Sequence, residues 1–171
     1  EMAVRYIHEC PSTDVSYRAQ CNQVPEFLST NKYRPLFIEA AQFDALKGTA
    51  MLASDQEILL LSDVESLDEE SWPDFRLQAR ACVCVYSCTE FMPQGDYVCW
   101  RDGAEFRSKK MDKNEKALCD CFLIGHTFKA LCDTMQAAYR EDGGTLVEWI
   151  STQLQAWIEQ GLLLKEGHAD G

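Results

Sequence analysis

Nine cysteines and three histidines are the residues of this chain whose types suit metal or redox chemistry. Cys82, Cys84 and Cys88, then Cys99, then Cys119, Cys121 and Cys132, could be combined with His126 into a metal site on paper. The spacing argues against it, because common zinc sites use paired C-x2-C units and these pairs are C-x-C. On a strand, a C-x-C pair places both thiols on one face, so Cys82–Cys84 remains open as a thiolate pair. His8, His126 and His168 form neither H-x-x-x-H nor H-E-x-x-H, and no glycine-rich phosphate loop or G-x-S-x-G is present. Carboxylates are abundant without a pairing motif. The thiols therefore read as buried structural residues, and His126, beside Gly125, reads as a helix-start residue. The sequence makes a weak case for an enzyme acting alone and gives no catalytic residue and no metal ligand.

Charge points to binding. The 171 residues carry 28 acidic and 16 basic side chains, a net charge of −12. Nucleic-acid affinity rests on Lys and Arg neutralising phosphates, and residues 145–160 contain neither, so no nucleic-acid partner is expected. A negative field suits a basic partner, because it speeds encounter and fixes orientation. The field is densest over residues 55–74, which hold eight carboxylates and no Lys or Arg. Asp68, Glu69 and Glu70 are the expected docking residues for a basic peptide or partner. No apolar run approaches a membrane span, no signal peptide is visible, and the odd cysteine count suits a reducing compartment. A cytoplasmic protein with no membrane partner is expected.

The elements that position these residues follow from periodicity. Residues 15–23 suggest a helix broken by Pro25. Pro35 opens a second helix, with Leu36, Phe37, Ala40, Phe43 and Leu46 as its stripe and Gly48 as its end. Residues 49–53 and 57–61 suggest a β-hairpin. Residues 80–91 suggest a strand, with Val83 and Val85 on one side and Cys82, Cys84, Tyr86 and Cys88 on the other. Residues 97–101 return after a turn. Asp102-Gly103 is a tight-turn dipeptide leading to a third strand, which completes a three-stranded antiparallel meander. Residues 117–124 suggest a buried helix.

The stretch TFKALCDTMQAAYREDGGTLVEWISTQLQAWIEQGLLLKE, residues 127–166, closes the chain. Phe128, Leu131, Cys132, Met135 and Ala138 recur at helical spacing, and Leu146, Trp149, Ile150, Leu154, Trp157 and Ile158 repeat the pattern. Thr145 and Glu148 suggest a capping box. Gly161 ends the second helix, and Leu162-Leu163-Leu164 leaves it as a short strand. The expected fold class is α+β: an N-terminal helical segment, a central antiparallel sheet and a C-terminal winged-helix-like unit. The expected division is 1–112 and 113–171.

The segment GTLVEWISTQLQAWIEQGLLLKE resembles the winged-helix ends of elements that hold leader peptides of ribosomally made natural products. It is also similar to the ends of small partner proteins that accompany iron-dependent peptide-modifying enzymes, as in methanobactin biosynthesis. The resemblance implies a non-catalytic subunit that holds the basic leader of a precursor peptide. It would form a heterodimer with a larger metalloenzyme that oxidises precursor cysteines to oxazolone and thioamide groups. Iron would belong to that partner, and this chain would hold no cofactor. Strand addition at an edge of the meander is the matching recognition mode, and Val83, Val85, Tyr97 and Trp100 are its candidate peptide-binding residues. Two other readings stand beside it. One is an acidic winged-helix adaptor or transcriptional regulator acting through protein contacts. The other is a thiol or metal enzyme using the Cys82–Cys84 and Cys119–Cys121 pairs.

Overall fold

Pro35 presets the first turn of a helix, and Pro35–Met51 (α2) follows a first helix, Tyr17–Thr30 (α1). The structure is a computed structural model and describes residues 17–138 and 143–165. Pro11-Ser12-Thr13-Asp14, whose residue types suggest a turn, and the acidic pair Glu141-Asp142 lie outside the described residues, as do His8 and His168. After α2 come α3 (Leu61–Glu65), a 3-10 turn (Trp72–Asp74), β1 (Arg76–Leu77), β2 (Cys84–Cys88), β3 (Gly95–Asp102), β4 (Glu105–Met111), α4 (Lys113–Ile124), β5 (His126–Thr127), α5 (Phe128–Ala138) and α6 (Gly143–Glu159). This is the α+β class expected, with a three-stranded antiparallel sheet in the order β2-β3-β4.

The chain forms two compact units. The first is Glu1–Ala53 with Cys84–Lys110, and the second is Ser54–Val83 with Met111–Gly171. One crossing lies beside the expected cut at residue 112. Residues 54–83, expected with the N-terminal part, belong instead with the C-terminal helices.

Several expected boundaries move for local reasons. α1 runs through Pro25, which costs one backbone hydrogen bond, and Phe27 and Leu28 just beyond it are buried. α2 passes Gly48 and takes residues 49–51 into its last turn, so the expected hairpin does not form. Its second arm makes a single bridge, Ile58 to Leu164, and then coils into α3. The strand expected over 80–91 is trimmed to Cys84–Cys88. At its start, Val83 N–H donates to Arg80 O at 2.9 Å and closes a turn. Its end is taken over by Glu39. His126 lies in β5, paired with Leu77, rather than at a helix start. α6 begins at Gly143, two residues ahead of the expected cap at Thr145.

In the first unit, the paired residues Cys84 and Cys99, Tyr86 and Tyr97, and Cys88 and Gly95 share one sheet face. Phe43 and Leu46 of α2 pack on that face. The Phe43 ring meets Tyr86 at 5.2 Å and Phe106 at 5.6 Å, both edge-on, the geometry aromatic quadrupoles favour. Tyr86 O–H donates to the Glu39 carbonyl at 2.9 Å. Burial first, and then Cys88 and Glu39 nearby, push this phenol up to about 12.

The Glu39 carboxylate clamps the loop after β2. It accepts the Glu90 N–H at 2.8 Å, the Phe91 N–H at 2.9 Å, the Thr89 N–H at 3.2 Å and the Thr89 hydroxyl. The Thr89 hydroxyl, then the Glu90 and Phe91 N–H groups, hold its carboxyl down to about 2, from an ordinary 4.5. A carboxylate depressed on folding stabilises the native state fully above its unfolded pKa and loses that contribution as pH falls toward the folded one. The first unit is therefore expected to lose stability as pH drops from 4.5 toward 2. Glu39→Gln should lower the melting temperature at neutral pH and flatten this acid limb. Thermal melts across that range check it, and an unchanged acid limb would show that the clamp contributes nothing.

In the second unit, residues 162–165 form an extended run paired on both sides. Leu59 N–H donates to Leu163 O at 3.0 Å and Lys165 N–H to Glu57 O at 3.0 Å. On the other side, Arg80 N–H donates to Leu162 O at 3.0 Å and Leu164 N–H to Gln78 O at 2.9 Å. The run is reached through a glycine-ended helix. Leu162 N–H returns to Trp157 O, Gly161 N–H returns to Ile158 O, and Gly161 sits at φ +66°, a Schellman exit. Leu162 and Leu163 are fully buried with Leu59, Leu77, Leu118, Phe122, Leu131, Met135, Ile150 and Trp157. The Phe122 and Trp157 rings meet edge-on at 5.1 Å. α4 is fixed by Asp112, whose carboxylate accepts the Asn114 and Glu115 N–H groups while Glu115 accepts the Asp112 N–H, a reciprocal cap. A Cβ added at Gly161 would meet its neighbours at ordinary contact distances, so Gly161→Ala isolates the backbone term. It should cost about 1–2 kcal/mol in urea denaturation. A neutral result would mean that the exit does not need the left-handed conformation.

Candidate functional site

The acidic segment builds two clefts of the second unit. Leu61 and Val64 stand three residues apart on α3, so they share a face. They line an apolar cleft of about 260 Å³ with Trp72, Phe128, Ser151, Leu154, Gln155 and Ile158. α6 supplies one wall at the spacing Ser151, Leu154, Gln155 and Ile158. Trp72, on the 3-10 turn, packs edge-on against Phe128 at 5.0 Å and Phe75 at 6.1 Å. Leu60, just ahead of α3, and Val147, on α6, are large apolar residues left exposed.

Asp63, Ser66, Leu67, Asp68 and Ser71 line a second, polar cleft of about 270 Å³ with Leu59, Phe75 and Lys165. Asp63 accepts the Leu60 N–H at 2.9 Å and lies 3.0 Å from Lys165 Nζ. The Leu60 N–H first, then Lys165, hold its carboxyl below the usual range. Asp68 accepts the Ser71 N–H at 2.8 Å, and Ser71 likewise lowers its carboxyl. Both groups therefore stay charged well into the acid range. Lys165 also pairs with Glu57 at 3.4 Å. These ion pairs are partly exposed, so solvent screening leaves them little net stabilisation. Their effect is to leave the remaining carboxylates of the segment as the charge a ligand would meet.

Asp68, Glu69 and Glu70 are exposed in the turn between α3 and the 3-10 turn, and Asp68 lines the polar cleft. The proposed peptide-edge residues are placed differently. Val83 is buried in the turn ahead of β2. Val85 lies on β2, an edge strand, opposite Val98. Tyr97 and Trp100 lie on β3, the central strand, and both are buried. A strand hydrogen-bonded on both sides has no edge to offer, and residues three apart on it point to opposite faces. These four residues do not converge on one surface. The cysteine pairs are dispersed as well. Cys82 precedes the strand, Cys119 and Cys121 are buried on α4, and among the described residues no three His, Cys, Asp or Glu side chains are grouped to hold a metal.

Sequence reasoning missed the apolar cleft. Its signal was present, as Leu61, Val64 and Trp72 inside an otherwise acidic stretch, but only the fold brings them beside α6. No family model matches the chain, and no curated protein matches it. Among the described residues no helix is long and apolar enough to cross a membrane.

Ser151 sits exposed at the rim, so Ser151→Trp fills the cleft without entering the core. It should weaken binding of a neutral apolar fluorophore such as N-phenylnaphthylamine about tenfold, or about 1.4 kcal/mol. Fluorescence titration checks it, and equal binding by the variant would place the dye elsewhere.

Proposed function

We propose that this chain is a peptide-binding, non-catalytic subunit whose second unit receives a basic amphipathic peptide. The observation that carries the reading is the apolar cleft of Leu61, Val64, Trp72, Phe128, Leu154 and Ile158 beneath a segment rich in carboxylates. Apolar side chains of the ligand would fill the cleft, as anchors do in helix-in-groove recognition. Its Lys and Arg residues would face Asp68, Glu69 and Glu70. The resemblance of the closing stretch supplies the class of ligand, the leader of a ribosomally made precursor. It also supplies the class of partner, a larger iron-dependent enzyme that modifies precursor cysteines in a heterodimer in the cytoplasm. An acidic surface supports a peptide partner over nucleic acid.

The test is affinity capture of the tagged chain at low salt from cells that express it naturally, with mass spectrometry of the eluate. A short basic peptide together with a metalloenzyme is the expected result. The peptide should be retained at about 0.15 M salt and lost at about 1 M, where the screening length falls from about 8 to about 3 Å. Reversing Asp68, Glu69 and Glu70 to Lys should slow its association about tenfold or more, with little change in dissociation. Recovery of transcription machinery instead, or binding indifferent to salt and to charge reversal, would contradict the reading.

A further inference from the structure

The sheet of the first unit sets two cysteines against each other. Cys84 on β2 and Cys99 on β3 are direct partners in the antiparallel register. Such partners have Cα atoms about 4.5–5.5 Å apart, inside the roughly 4.4–6.8 Å range of a disulfide. Directly opposed residues also project from the same face, which is the second requirement. Cys84 Sγ lies 3.5 Å from the Cys99 carbonyl, so its thiol is already turned across the strand gap. Both are thiols here; Cys84 is half-buried and Cys99 is fully buried. Hydrogen bonding from Cys84 lowers the Cys99 thiol below its usual value, against the effect of burial.

The other described cysteines lack this arrangement. Cys88 stands opposite Gly95, and its Sγ accepts the Met92 N–H at 2.9 Å. Cys82 precedes the strand, and Cys119, Cys121 and Cys132 lie on helices of the second unit. Burial first, then a neighbouring aspartate, raises the Cys121 and Cys132 thiols, which suits inert residues.

We propose that Cys84 and Cys99 are a redox-active dithiol that closes to a cross-strand disulfide when it meets a small disulfide oxidant of the glutathione class. Cys84, the accessible member, loses its proton and attacks a sulfur of the oxidant. One glutathione leaves as thiolate, and a mixed disulfide remains on Cys84. Cys99, as thiolate, then attacks the Cys84 sulfur and expels the second glutathione thiolate. The two protons released by the cysteines go to the two glutathione thiolates. The cysteine pair is thereby oxidised by two electrons and the oxidant is reduced by two. This activity is independent of the peptide cleft and uses residues that the proposed function leaves idle.

The test treats the full native chain with oxidised glutathione, quenches it with acid and alkylates the remaining thiols with N-ethylmaleimide. Trypsin releases residues 81–101 as one piece, and cleavage after Glu90 separates Cys82, Cys84 and Cys88 from Cys99. The expected result is an intact mass lower by two hydrogens before alkylation and short of two maleimide adducts after it, with the two fragments held together until dithiothreitol is added. Alkylation at positions 84 and 99 should fall in parallel. C82S and C88S should keep the link, and C84S should abolish it. Maleimide on both Cys84 and Cys99 in the oxidised wild-type chain would overturn the proposal whether or not any variant folds. So would a link that survives in C84S.

Discussion

The second unit depends on one pairing: residues 162–165 hydrogen-bonded on one side to residues 57–59 and on the other to residues 78–80. These segments are far apart in sequence, so the unit cannot form until residues 162–165 meet both partners. In return, the run gains four backbone hydrogen bonds to its flanking segments and buries two leucines completely. Full burial of each is worth about 1.5–3 kcal/mol. The Schellman exit at Gly161 aims the chain into this slot. The same pairing holds the acidic segment against α6, because residues 57–59 enter α3 directly and residues 78–80 follow the Trp72 turn.

The clefts follow from that restraint. α3 is five residues long and has too few internal hydrogen bonds to stand alone, and Asp63 bonds back to Leu60 to close its first turn. One side of α3 presents Leu61 and Val64 to the apolar cleft, and the other presents Asp63 to the polar one. The apolar and the acidic surfaces are therefore separated by the width of one helix. For the proposed peptide ligand, charge would govern encounter and burial would govern residence. The first unit answers to a different restraint, the Glu39 carboxylate, which ends β2 by collecting the N–H groups that would have extended it.

The parts of the fold legible in sequence are those decided locally. The meander, the Pro35 helix and the two closing helices follow from periodicity and turn chemistry. Asp102-Gly103 marks the hairpin, and Gly103 takes φ +59° there. Errors occur where a distant group competes. Residues 89–91 read as strand by composition, yet Glu39 claims their N–H groups from 50 residues away. Residues 57–61 read as a hairpin arm, yet their partner is Leu164. The acidic segment is visible in sequence because a run of carboxylates needs no fold to be charged. The apolar cleft was not visible, since its two walls come from segments nearly a hundred residues apart. The cross-strand cysteine pair was hidden by register, which depends on where β2 starts.

The most direct test of peptide binding by the second unit is a display selection of random peptides on the intact chain, with Ser151→Trp protein as competitor. The account predicts enriched peptides that combine Lys or Arg with apolar residues at helical spacing, and that bind the wild-type chain but not the variant. Enrichment of acidic peptides, or of peptides that bind both proteins equally, would contradict it.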